Sequence, residues 1–165
     1  MLHPVRVIGS AAALLIGLHT SIPSAQSPPD FSGKWIFVSA SPKTDFPDDM
    51  VWPSWMTIRQ TASEFAYETA VGPMRVPRVA YRLDGTEIES VSTAADGESV
   101  TRTSKATWVS RAIVVLTTIS RQTGKFQVME TYSIDASGNL VVISVEPNLH
   151  PSGTTSTLTA VYRKG

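Results

Sequence analysis

Residues 99 to 134 read SVTRTSKATWV, SR, AIVVLTTIS, RQTG, KFQVMETYSI. Three runs rich in Val, Ile, Thr and aromatic residues are separated by breaks of two and four residues. Such runs fit a pleated, half-buried surface. The breaks are too short for a crossover, so successive strands must be antiparallel. On the third run Phe126, Val128, Tyr132 and Ile134 share one face, with the acidic Glu130 among them. Gln127, Met129, Thr131 and Ser133 lie on the other, as a two-residue period demands. The middle run is apolar on both faces at first (Ile113 to Leu116), which predicts cover on both sides.

The pattern extends in both directions. Gly33 to Ala40 forms a first strand, with Trp35 and Phe37 on one face. Ser41 to Ser54 is a long loop rich in Pro and Asp. Trp55 to Gln60 and Glu64 to Ala70 make a hairpin. Val71 to Arg78 is expected to be irregular, because Pro73 and Pro77 cannot donate to a ladder. Val79 to Leu83 and Thr86 to Val91 flank Asp84-Gly85, a two-residue hairpin signal. Leu140 to Val145 follows a Ser-Gly-Asn turn. After the loop Glu146 to Gly153, Thr154 to Arg163 is the last strand, with Leu158, Ala160 and Tyr162 on one face. From Phe31 onward no stretch of ten residues shows a helical period. The chain therefore predicts an all-β fold, an antiparallel up-and-down meander of about eight to ten strands closed into a barrel. A two-sheet β-sandwich is the alternative.

Both ends of this domain carry a further signal. Phe31-Ser32-Gly33-Lys34-Trp35 opens the first strand, Tyr81-Arg82-Leu83-Asp84-Gly85 sits in the middle, and Val161-Tyr162-Arg163-Lys164 closes the last. Together they resemble the lipocalin-like (calycin-type) small exported barrels of bacteria. The resemblance spans about residues 31–164. One departure is that Trp108 is followed by Val109-Ser110-Arg111, where such sequences often have Trp-Asp-Gly. The resemblance implies that Gly33, Trp35 and Arg163 close the barrel, with the Arg163 guanidinium over the Trp35 ring. It implies a fold and a cavity, not a ligand.

The N-terminus reads as a leader. Arg6 precedes a 12-residue apolar run, Val7 to Leu18, and a small-residue stretch ending at Ala25. Twelve helical residues span about 18 Å, short of the roughly 30 Å of a bilayer core. Residues 1–25 are therefore expected to be a secretory signal peptide and 26–165 the exported domain, soluble in the periplasm or outside the cell. The chain holds 14 Lys and Arg against 14 Asp and Glu. Without Arg6 the balance is −1, so no basic face suggests nucleic acid or an anionic membrane as partner. Cysteine is absent. That excludes a disulfide framework, a thiolate nucleophile, a Cys-based metal site and a lipid anchor on cysteine.

Signals for catalysis are sparse. His150 is the one histidine beyond the leader. It is a candidate haem ligand and the one possible base for a triad, yet no nucleophile-elbow phrase accompanies it. Apart from that candidate no cofactor or metal is implied. Asp45, Asp48 and Asp49 fit no calcium-loop pattern, and Glu87 and Glu89 read as solubilising residues. An isomerase or cyclase on a hydrophobic substrate would need Arg59, Arg102 or Glu130 pointing into a cavity.

Aromatic residues say more. Phe46, Met50, Trp52 and Trp55 crowd the first loop and its exit, where they would pack on the barrel rim or cover an opening. Phe37, Tyr67, Tyr81, Phe126, Tyr132 and, depending on register, Met129 would face inward. Trp52, Trp55, Phe37, Tyr67, Tyr81, Phe126 and Tyr132 are the candidate ligand-binding residues. The expectation is a barrel that binds a small, mostly apolar molecule. Its rival is a solid barrel that acts through its surface on another protein.

Overall fold

A computed structural model of the chain describes residues 27–41, 52–71, 74–94, 97–147 and 155–165. The leader residues up to Ala25, the loop residues Asp45 to Met50, and His150 lie outside them. Ten strands form: β1 (Gly33–Ser41), β2 (Trp55–Gln60), β3 (Glu64–Val71), β4 (Met74–Arg82), β5 (Ile88–Thr93), β6 (Ser99–Val109), β7 (Ala112–Arg121), β8 (Gly124–Ile134), β9 (Leu140–Pro147) and β10 (Thr155–Lys164). All belong to one antiparallel sheet of order β4-β3-β2-β1-β10-β9-β8-β7-β6-β5. This is the expected meander and not a sandwich. The one pairing between chain-distant strands is β1 with β10.

The sheet curls because one face of every strand but β5 buries apolar side chains into a common core. Trp35, Ile58, Phe65, Tyr81, Ala106, Ile113, Tyr132, Leu140, Ala160 and Tyr162 form a single cluster. Curling brings the two edge strands, β4 and β5, toward each other. They do not pair. Asp84 forms an isolated bridge with Thr107, and the Gly85 amide donates to the Ala106 carbonyl at 3.1 Å. The seam is thus stitched at one end, onto β6, and left open along the rest.

The stitched end is a packed floor. Phe31, ahead of β1, is fully buried there, its ring against those of Phe65 and Trp108 at 6.3 and 5.9 Å. Its amide is held by the Gln60 side chain and its carbonyl accepts from the Trp35 indole nitrogen at 2.7 Å.

Three expectations need correction. Val71 to Arg78 is not irregular: β4 starts at Met74. A register shift places Pro77 and Arg78 together opposite Glu68, and the ladder skips the proline. An edge strand with a bulge is where proline is tolerated. Asp84-Gly85 does not join paired strands, since its flanking strands are the two edges of the sheet. The third correction concerns Arg163. Trp35 pairs with Lys164 and Ile36 with Arg163. The cation over the indole is therefore Lys164, its Nζ 5.6 Å from the ring centroid, while Arg163 points outward and is exposed. Gly33 fits this arrangement. Its φ of +132° favours glycine, and a Cβ there would come within 3.1 Å of the Lys164 side chain.

Candidate functional site

Above the floor the barrel is hollow. A space of about 760 Å³ lies between β4 and β5 on one side and β6, β7 and β8 on the other. That is within the roughly 300–1,000 Å³ typical of small-molecule sites. A smaller space of about 200 Å³ continues from it toward β2, β9 and β10. The two share Tyr67, Val76, Val79, Glu130 and Glu146. The larger one borders both unpaired edge strands, so the open seam is its mouth.

The walls divide by chemistry. Val76, Val79, Tyr81, Ile88, Ile119 and Val128 supply an apolar surface. Near the seam the lining is polar. Arg102 Nη1 donates to Ser92 Oγ at 2.6 Å, and the Ser104 and Thr117 hydroxyls are hydrogen-bonded at 2.9 Å. At the far end of the smaller space Trp52 is nearly fully buried and lies beside Pro53. This end of the first loop is anchored, because the Ser54 carbonyl accepts from the Phe37 amide and the Ser54 amide donates to Ala70.

Glu130 lies at the junction of the two spaces. Its strand neighbours are Val115 on β7 and Ser144 on β9. Ser144 Oγ donates to Glu146 Oε1 at 3.1 Å, so the second carboxylate is fixed on the same face. Loss of water pushes the Glu130 carboxyl up to about 7, the charge of Glu146 adds to this, and a hydrogen bond from Tyr132 opposes it. A carboxylate only accepts. The Tyr132 hydroxyl therefore donates to the ionised Glu130, and Tyr67 lies between Tyr132 and Tyr81, within reach of both hydroxyls. Burial holds all three phenols above their ordinary range, Tyr81 at about 12. Tyr162 differs: its hydroxyl is buried without a partner.

The candidate residues fall into two sets. Trp52, Tyr67, Tyr81 and Tyr132 border the hollow. Phe37 does not. Its ring packs edge-on against Tyr162 at 5.6 Å. Phe126 shares the inward face of β8 yet lies beyond both spaces, and Met129 faces out, 39% exposed. Trp55, next to the inward Met56, is on the outer side of β2. Arg102 and Glu130 point in, and Arg59 is exposed. Glu146, Arg102 and Tyr162 were not among the ligand-binding candidates. The signal for Glu130 was present, an acidic residue alone among apolar ones on the inward face of β8. Glu146 had no such signal, since it followed the expected end of its strand. Among the described residues no cluster of three or more His, Asp or Glu is arranged to hold a metal. No described helix is long and apolar enough to cross a membrane. None of the four tryptophans is exposed.

No protein-family model matches the chain, and no curated protein does. Solved structures do. The crystal structure of the fluorescent protein UnaG, wild type, is similar with a TM-score of 0.53 at 15% identity, over 82% of this chain and 97% of that one. A point mutant of UnaG is similar at 0.52 and 16% identity, over 82% and 96%. At such identities the likeness is one of fold, and it agrees with a calycin-like barrel.

Proposed function

We propose that this chain is an exported binding protein that holds a small, mostly apolar molecule in the upper half of its barrel. The observation that carries this reading is the 760 Å³ hollow, walled by apolar side chains, opening between two unpaired strands and backed by a packed floor. The absence of an exposed tryptophan patch weighs against the rival of a protein-docking surface. Export rests on the leader at residues 1–25.

Titration of the purified domain with the neutral dye N-phenyl-1-naphthylamine tests the binding. Saturable, blue-shifted fluorescence is expected, abolished when Val128→Trp fills the hollow in a variant that still melts cooperatively. A dye that stays dark, or binds that variant equally, would sink the reading. N-terminal sequencing of the exported product checks the leader; retention of residues 1–25 would overturn that part.

A second reading draws on Glu130, a carboxyl titrating near neutrality inside a cavity, as a general acid–base for an isomerase or cyclase would be. A binding protein returns its co-purified molecule unchanged after prolonged incubation. An enzyme returns an isomer with altered chromatographic retention at the same mass.

A further inference from the structure

The hollow contains acidic groups with no cation bonded to them. Among the described residues the ion pairs are Arg78 with Glu64 and Arg82 with Asp84, both at the surface. Neither Glu130 nor Glu146 takes part in one. Arg78 and Arg102 border the larger space, Arg78 paired with Glu64 and Arg102 donating to Ser92, and neither borders the smaller one. The smaller space is bordered by both carboxyl groups and by Tyr162. Tyr162 is 0% exposed, and its hydroxyl has no hydrogen-bond partner. A buried hydroxyl left unpaired is costly, so an orphan lining a cavity marks a place where a bound group would complete the bonding. Beside it stand the rings of Tyr67 and Tyr132, 6.1 Å apart.

Resting on the binding reading above, we propose that the molecule held in the barrel carries a basic nitrogen, and that Glu130, Glu146 and Tyr162 form the subsite that receives it. An ammonium has three N–H donors and no acceptor. The subsite offers two carboxylates and a phenol oxygen, and the tyrosine faces favour a desolvated cation. A carboxylate-headed ligand would meet like charge. A neutral alcohol would gain nothing from the charge of the two carboxylates. The apolar remainder of the molecule extends into the larger space.

Binding of such a ligand follows the ionisation of Glu130. The groups facing it are Glu146 on β9, Tyr67 on β3, Tyr81 and Arg78 on β4, Arg102 on β6, and Tyr162 on β10, with Tyr132 on its own strand. Of these Glu146 favours the protonated form and Tyr132 the ionised one. An ammonium therefore binds more tightly as the pH rises through neutrality.

Calorimetric titration of the exported domain with dodecylamine, dodecanol and dodecanoate tests the assignment. At about pH 8 the amine is expected to bind roughly tenfold tighter than the alcohol, an advantage that shrinks by about pH 5.5. Glu130→Gln should erase the advantage and leave the alcohol unchanged. Tyr162→Phe should weaken the amine several-fold, and it serves with Glu146→Gln if Glu130→Gln fails to fold. Equal affinity for all three compounds, or preference for the acid, overturns the basic-nitrogen subsite and leaves the binding reading standing. No binding of any of them overturns both.

Discussion

Trp35 is held in the floor by its bond to the Phe31 carbonyl, by Lys164 above the ring and by complete burial. Truncating it to alanine should cost about 3–5 kcal/mol, as other large core aromatics do. Lys164→Ala should cost about 0.5–1 kcal/mol through the lost cation–π contact. Arg163→Ala should stay within about 0.5 kcal/mol of wild type. Urea melts of the three variants check the order; equal losses at 163 and 164 would contradict the register. The sequence announced an aromatic at the start and a cation at the end, but two cations stand side by side there. Which one faces inward depends on how β10 registers against β1, and a one-residue slip reverses every side chain. Glu130 gives a second expectation at this scale. Its carboxyl titrates near 4.5 when solvated and about 7 in the fold. Between those values the folded state holds a proton that the unfolded chain has released. Stability is therefore greatest below about pH 4.5 as far as this group is concerned, and falls by roughly 3 kcal/mol as the pH passes through 7. Denaturant midpoints of wild type and Glu130→Gln across that range should converge at low pH and separate in favour of the variant at high pH.

Strands β6, β7 and β8 were legible almost to the residue, because their turns are short and their partners adjacent. β4 was not, since Pro77 argues against a strand unless a bulge opposite Glu68 removes the need for its donor. Asp84-Gly85 misled for a related reason. The dipeptide does turn the chain, but the strands it separates diverge to opposite edges, and local sequence carries no information about that divergence. Gly85 has a φ of +80°, and a Cβ there would lie 3.2 Å from Thr107. Gly85→Ala should therefore cost about 1–2 kcal/mol. The loss should appear where the seam is stitched. Hydrogen exchange is expected to be fastest in β5, exposed along nearly its whole length, and slowest in β7 to β9. The variant should accelerate exchange at the Gly85 amide and its neighbours on β6. Unchanged protection there would show that the bridge does not hold the seam.

As a whole the molecule is dense below and empty above, so its stability should respond to whatever fills the space. A ligand at a hundredfold excess over its Kd adds about 2.7 kcal/mol, which differential scanning calorimetry would register as a raised melting temperature. Hollowness was not legible in the sequence, because a filled and an empty barrel alternate alike. The pairing of β1 with β10 also has a meaning in time. Hairpins from β6 to β9 join near neighbours and can form as soon as they are made. The floor cannot. Trp35 waits for Lys164, and the Gly165 amide closes onto Lys34. Its completion therefore follows the hairpins, because it joins the two strands farthest apart in sequence, and until then the meander has an open base.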